Sequence, residues 1–331
     1  MKYKIGLAVS GFVMSMGVLC TPLYAATKDA VNNKLFLEEQ WKLDGQFIPE
    51  GIAYDAATQS YFLSSLTEPT IYRIGANKEV KRFAYDKEIV SSAGIHVDGN
   101  HRRLLITSLD LGTSAVSNAE HKGAKAGLAI YSLDTAEKIA YVDLSKGLAG
   151  GHVSNDLTFD STGNIYITDS FSPIIYKVDT DYKASILIQD PVFAGEGFNL
   201  NGIVFHPDGY LIVSKYNSNS LYKIPLDNPE NWSEIKLAAT LSGPDGLVLL
   251  NNNELAIIEN KTRGNISIFR SENNWENAQL KSALLLESAF PTTAALVNGK
   301  LVVLDGHINQ LFAGKKDEVD TFSLYQILIA Q

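Results

Sequence analysis

The sequence predicts an all-β, six-bladed β-propeller, and three observations predict it. A plan of alternating strand, Gly-containing turn and second strand recurs at Pro49–Ser65, Ser154–Ser170, Asn199–Lys215 and Gly243–Glu259. Period-two alternation broken by such a turn is a hairpin signal. Units aligned on their first strands begin near Gly51, Gly94, Asp156, Gly202, Gly246 and Thr293, so successive spacings by subtraction are 43, 62, 46, 44 and 47 residues. A four-stranded propeller blade takes about 40–45. Finally, the sixth unit ends after three strands, whereas Leu35–Leu43 (LFLEEQWKL) is a strand with no unit before it. If that strand completes the last blade, the ring closes and its sheet edges are protected without a disulfide.

Taken in order, Met1–Ala25 reads as a secretory leader, with Lys2 and Lys4, an apolar stretch Ile5–Leu19 and a small residue, Ala25, at the cleavage point. A membrane anchor would need an apolar run of roughly 20 residues. The expected destination is the periplasm or the exterior. The single cysteine, Cys20, leaves with the leader, so residues 26–331, read as one propeller domain, have neither disulfide nor thiolate nucleophile. From Lys34 onward each unit repeats a third strand of related pattern, such as Ile71–Ile74, Ile175–Val178 and Leu221–Ile224, and the first five add a fourth, such as Lys183–Ile188. The 331 residues are 45% hydrophobic and 20% charged with a net charge of −9, and the basic residues form no cluster. That balance argues against nucleic acid and anionic membrane as partners.

Propeller geometry puts the residue before each first strand beside the central channel. Glu50, Ala93, Asn155, Asn201, Asp245 and Thr292 are therefore expected to form an inner ring. Residues ending the second strands, Ser65, Asp110, Asp169, Lys215, Glu259 and Asp305 with His307, are expected just outside it on the same face. Two insertions, Asp110–Gly127 and Ala194–Leu200, fall on that face, where a lid or pocket wall belongs.

Four inner-ring positions carry two carboxylates and two amides, Glu50, Asn155, Asn201 and Asp245. This hard, all-oxygen set suits one divalent cation, Ca²⁺ first, with Mg²⁺ and Zn²⁺ left open. Asn-Gly, Asp-Gly and Asn-Asp pairs are also ordinary turn formers, so each alone reads more readily as a turn. Glu50 does not fit that reading, and recurrence at four equivalent positions favours a site. Asp110, His152, Asp169, Lys215, Glu259 and His307 are weaker pocket candidates, Lys215 as a partner for an anionic substrate.

The stretches PEGIAYD (49–55), SNDLTFDSTGNIYITDS (154–170), LNGIVFHPDGYLIVS (200–214) and GPDGLVLL (243–250) resemble the gluconolactonase/regucalcin family, related to paraoxonases and diisopropyl fluorophosphatase. The resemblance implies that Glu50, Asn155, Asn201 and Asp245 ligate one calcium at the channel. Val153 stands where regucalcin has a sugar-acid-binding arginine, and Ala93 where paraoxonases have a catalytic histidine. The implied activity is calcium-dependent hydrolysis of a small-molecule lactone or related ester, with Asp245 as general base or nucleophile and Glu50 mainly a ligand. A phosphotriesterase using the same residues, and a non-catalytic propeller binding a ligand or protein around a structural calcium, are the rival expectations.

Overall fold

The computed structural model describes residues 34–287 and 289–330; the expected leader lies outside them. The arrangement is all-β and propeller-like, built from antiparallel meanders with two short parallel pairings added. One sheet runs Ile52–Asp55, Ser60–Leu63, Thr70–Ile74 and Val80–Tyr85 in chain order. Another runs Leu200–His206, Tyr210–Lys215, Ser220–Pro225 and Ser233–Glu234. A third passes from Pro244–Asn251 through Glu254–Glu259 and Gly264–Arg270 to Asn277–Leu286, with Lys236–Leu237 added at its edge. A fourth joins Thr293–Val297, Lys300–Asp305, Thr321–Ile329 and Leu35–Asp44. The remaining eight-stranded sheet has two antiparallel halves, Ile95–Asp98 to Lys138–Asp143 and His152–Phe159 to Ala184–Gln189, joined by parallel pairing of His152 with Ala124 and Val153 with Lys125.

The first described strand does pair with the last. Leu35–Asp44 lies antiparallel to Thr321–Ile329 from Leu35↔Ile329 to Asp44↔Thr321, one residue beyond the predicted end. Leu35 and Leu43 are its buried residues, as befits an outermost strand that faces water along most of its length. Trp41 meets Tyr61 of the neighbouring sheet edge-on, with ring centroids 5.9 Å apart, tying the start of the chain to the next sheet as well.

Innermost strands touch in a closed cycle. Ile52–Asp55 meets Ile95–Asp98, which meets His152–Phe159; contacts continue through Leu200–His206, Pro244–Asn251 and Thr293–Val297 and return to Ile52–Asp55. Beside five of these strands the main-chain carbonyl of the inner-ring residue is gripped by the preceding repeat. Thr107 Oγ1 donates to the Asn155 carbonyl at 2.9 Å, Thr168 Oγ1 to Asn201 at 2.6 Å and Ser214 Oγ to Asp245 at 3.1 Å. The Gly246 amide donates to the Thr292 carbonyl, and Thr292 Oγ1 donates to that of Glu50, which carries the grips from the last repeat to the first.

This packing explains the recurrent glycines differently from turn chemistry. Gly202 and Gly51 have no positive φ. A Cβ on Gly202 would lie 2.2 Å from the Asp245 carbonyl oxygen, and one on Gly51 2.3 Å from that of Ala93. Close approach between adjacent repeats is what excludes a side chain there. The ring residues also sit differently from expectation in three repeats. Strands begin earlier, at His152, Leu200 and Pro244, and register breaks fall at Ser154/Leu157, Leu200/Ile203 and Pro244/Leu247. Asn155, Asn201 and Asp245 thus occupy β-bulges, which re-aim side chains out of the regular alternation.

Gly202→Ala should lower unfolding free energy by about 1–3 kcal/mol through overpacking against fixed backbone. Gly99→Ala, where an added Cβ meets nothing within 4 Å, should stay within about 0.5 kcal/mol of the parent. Chemical denaturation of the two variants compares them, and equal effects would contradict the close-approach account.

Candidate metal and substrate site

All six inner-ring residues line one cavity of about 180 Å³ at the mouth of the channel. Glu50, Asn155, Asn201 and Asp245 also line a narrower space of about 20 Å³ beneath it, together with Asp156 and His96. The floor is therefore where bulges and carbonyl grips bring the four expected ligands together.

Its electrostatics are one-sided. Burial pushes the Asp245 carboxyl up to about 7, against a 2.6 Å hydrogen bond from Asn260 Nδ2 that favours the charged form. Glu50 is driven well above the usual carboxylate range by burial, then by the nearby charges of Asp245 and Asp156. No lysine, arginine or histidine lines the cavity to offset them.

One floor amide, that of Asn155, leaves its oxygen free, whereas the Asn201 amide hydrogen-bonds to Asp245. Asn155 Nδ2 donates to Ser170 Oγ at 2.9 Å, and that hydroxyl donates to the Leu200 carbonyl at 2.6 Å, fixing the amide plane. Asn155 Oδ1 is buried with no hydrogen-bond partner. A buried acceptor left unpaired is costly, so it asks for an external donor or a cation. Together with two carboxylates of raised pKa, it makes the floor a fit for a hard divalent ion. Among the described residues no three His, Cys, Asp or Glu side chains cluster as metal ligands, so such an ion would need both amides.

Asn260 and Tyr216, which the sequence reading passed over, complete the floor. Asn260 Nδ2 also donates to the Pro291 carbonyl, and its Oδ1 accepts from Tyr216 Oη at 2.9 Å. The amide is thereby locked with its nitrogen on Asp245.

Above the floor the walls are apolar, formed by Leu66, Leu109, Leu111, Val153 and Phe290. Val153 and Ala93, the two departures from the family pattern that the motifs resemble, both line this cavity. The rim comes from segments outside the hairpins. Loop 194–199 is tied down by Asn199 Nδ2, which donates to the carbonyls of Ser170, Gly195 and Gly197, and it presents Phe198. The short helix Ile308–Phe312 contributes Ile308 and Phe312, and its Ile308 and Leu311 pack with Ile48, Leu66 and Leu109. Spacing of apolar residues at 308, 311 and 312 was its only sequence signal. The other insertion is shorter than expected, lying between Leu109 and Ala124, and gives the wall Leu111.

None of the six weaker candidates lines the cavity. Each holds loop backbone or a neighbouring loop residue instead. Asp110 accepts from the amides of Gly112 and Asn118, and Asp169 from those of Val153, Phe171 and Ser172. Glu259 accepts from the Ser242 amide. Lys215 Nζ is buried against the carbonyls of Val192 and Ala194, both at 2.7 Å, and burial holds its pKa below the usual lysine range. His307 adopts a left-handed backbone at the start of the helix, its amide donating to Asp305. His152 is buried, with Nδ1 2.8 Å from Asp169 Oδ2. The physical reason is alternation: successive side chains at a strand end point to opposite sides. One residue further on come Leu66, Leu111, Tyr216 and Asn260, which do line the cavity.

No protein-family model matches the chain, and no curated protein does. Solved structures do. The major allergen Mala s 1 of Malassezia sympodialis is 18% identical, with a TM-score of 0.69 over 88% of this chain and 96% of that one. A gluconolactonase of Xanthomonas campestris is 14% identical, TM-score 0.60, over 88% and 90%. Virginiamycin B lyase of Staphylococcus aureus is 12% identical, TM-score 0.55, over 87% and 99%. What is shared is the fold. The resemblance to gluconolactonases read from the motifs is met at that level. Among the described residues no helix is long and apolar enough to cross a membrane.

The His152–Asp169 pair yields a signed pH dependence. The hydrogen bond to Asp169 raises the His152 pKa above about 6.5 despite burial. A raised histidine pKa contributes stability that is complete below the unfolded value and is lost as pH rises through the folded one. The stability difference between the parent and His152→Gln should therefore be largest near pH 5.5 and shrink above neutrality. Urea titrations across that range measure it, and a difference independent of pH would contradict the charged pair.

Proposed function

We propose that the chain is an exported, six-bladed propeller hydrolase that acts on a lactone or related ester with a divalent cation, Ca²⁺ first, at its inner ring. The observation that carries this reading is the unpartnered Asn155 Oδ1 beside the buried Asp245 and half-buried Glu50 carboxylates at the floor of an open cavity. The blade count rests on the closed cycle of six inner strands, with each half of the eight-stranded sheet taken as one blade.

Glu50, Asn155, Asn201 and Asp245 would hold the ion. When bound, it would polarise the substrate carbonyl and stabilise the negative charge that develops on its oxygen. The chain's own contribution is a positioned proton acceptor. Asn260 fixes one oxygen of Asp245 at 2.6 Å, so this carboxylate has a set orientation at the floor for taking a proton from the attacking water. No hydrogen bond of comparable kind orients Glu50, whose role is that of ligand. The apolar walls keep bulk water from the reacting carbonyl.

A second reading has its own support. Val153 and Ala93 put aliphatic side chains into the cavity where the related enzymes place an arginine or a histidine. A propeller that binds a ligand around a structural ion, without turnover, accounts for those substitutions.

Asp245→Asn and Glu50→Gln separate the readings. Calcium should raise the melting temperature of the parent with concentration, as expected for a ligand of the folded state, and both variants should need more of it. At saturating calcium Asp245→Asn should lose about 10²–10⁴-fold in kcat against the best lactone or aryl ester, and Glu50→Gln far less. Calcium-dependent melting without turnover of lactones, esters or phosphotriesters would favour the binding protein. Melting curves insensitive to calcium in the parent and both variants would overturn the ion site.

A further inference from the structure

We infer that the cavity selects an uncharged substrate with one compact polar end and an apolar arm, and that Phe198 and Phe312 set how long an arm it takes. The inference deepens the hydrolase reading and rests on it for the word substrate; the ligand class follows from the cavity alone.

Polarity in the cavity is confined to its floor, and most of it is already committed. Tyr216 Oη donates to Asn260, Thr292 Oγ1 to the Glu50 carbonyl, and both hydrogens of the Asn260 amide serve Asp245 and Pro291. Above the floor, Leu66, Leu109, Leu111, Val153 and Phe290 offer no hydrogen bond to a ligand hydroxyl. A polyhydroxylated sugar lactone would surrender its water along these walls and gain nothing for it. An anionic ligand meets Glu50 and Asp245, whose two charges already balance a divalent ion, with no cationic side chain to receive it, because Lys215 is turned away onto two loop carbonyls.

The rim continues the apolar path outward. Phe198 and Phe312 face each other with ring centroids 6.0 Å apart, and Phe171 backs Phe198 at 5.4 Å. Phe312 is 56% exposed and Phe171 38%, an aromatic surface that faces water unless something covers it. Held between a helix and a tied-down loop, the two rings are positioned to flank a chain rising from the floor. An alkyl or aryl arm on a lactone or ester fits that path.

Two measurements test this separately from catalysis. The first is calorimetric binding of 2-alkylcyclopentanones, which carry the polar carbonyl but cannot be hydrolysed, at saturating calcium. Affinity should rise about fourfold per added methylene, the burial of one methylene each time, and level off once the arm has passed the rim. In Phe198→Ala and Phe312→Ala the levelling should come at shorter arms. The second is kcat/KM over γ-lactones of increasing tail length, set beside gluconolactone. Tailed lactones should be preferred with a matching slope. Ketone affinity that rises with the arm, with no lactone turned over, would sink the hydrolase and leave this inference standing. Turnover indifferent to tail length, or fastest on gluconolactone, would overturn the inference while upholding the hydrolase. Affinity flat with arm length would overturn it whatever the kinetics.

Discussion

Everything functional in this protein hangs on a ring of main-chain carbonyls gripped from one repeat to the next. The hydroxyls of Thr107, Thr168, Ser214 and Thr292 each hold the carbonyl of the following inner-ring residue. A side chain at Gly202 would collide with one of these carbonyls, that of Asp245. Because the grip is on the backbone, the side chains at the ring positions are left to carry chemistry. Glu50, Asn155, Asn201 and Asp245 are placed together by bonds to their main-chain carbonyl oxygens, and Asn155 Oδ1 stays unpartnered.

That constraint explains a costly arrangement. Two carboxylates whose pKa values burial raises, with Asp156 near them and no cationic side chain in the cavity, would not assemble for stability's sake. Backbone grips hold them regardless, and an ion or a substrate can then recover the energy. The loop anchors one position away work in the opposite sense. Asp110, Asp169 and Glu259 each give a carboxylate oxygen to loop amides and so tie down the loops beside the cavity. Alternate residues along one strand end thus divide the labour between scaffold and site.

The sequence carried the fold and the ring because both depend on recurrence. Asn155, Asn201 and Asp245 could be found by aligning hairpins, and the pairing of Leu35–Asp44 with the last strand could be deduced from a missing partner. Recurrence also misled. It pointed to Asp169 and Lys215 as pocket residues because they end equivalent strands, whereas strand alternation turns Tyr216 and Asn260 inward instead. Phe198 and Phe312 had no repeat to reveal them. They come from a loop and a helix inserted once each, and their place at the rim is set by tertiary contacts such as Ile308 and Leu311 against Leu66. The apolar character of the cavity walls was for that reason the least legible property.

The most direct measurement is crystallographic. Crystals grown with calcium and soaked with a lanthanide should show a single anomalous peak in the inner ring, contacting side-chain oxygens of Glu50, Asn155, Asn201 and Asp245, with Asn155 Oδ1 among them. A ring without a peak, or an ion held elsewhere while Asn155 Oδ1 stays unpaired, would contradict the account.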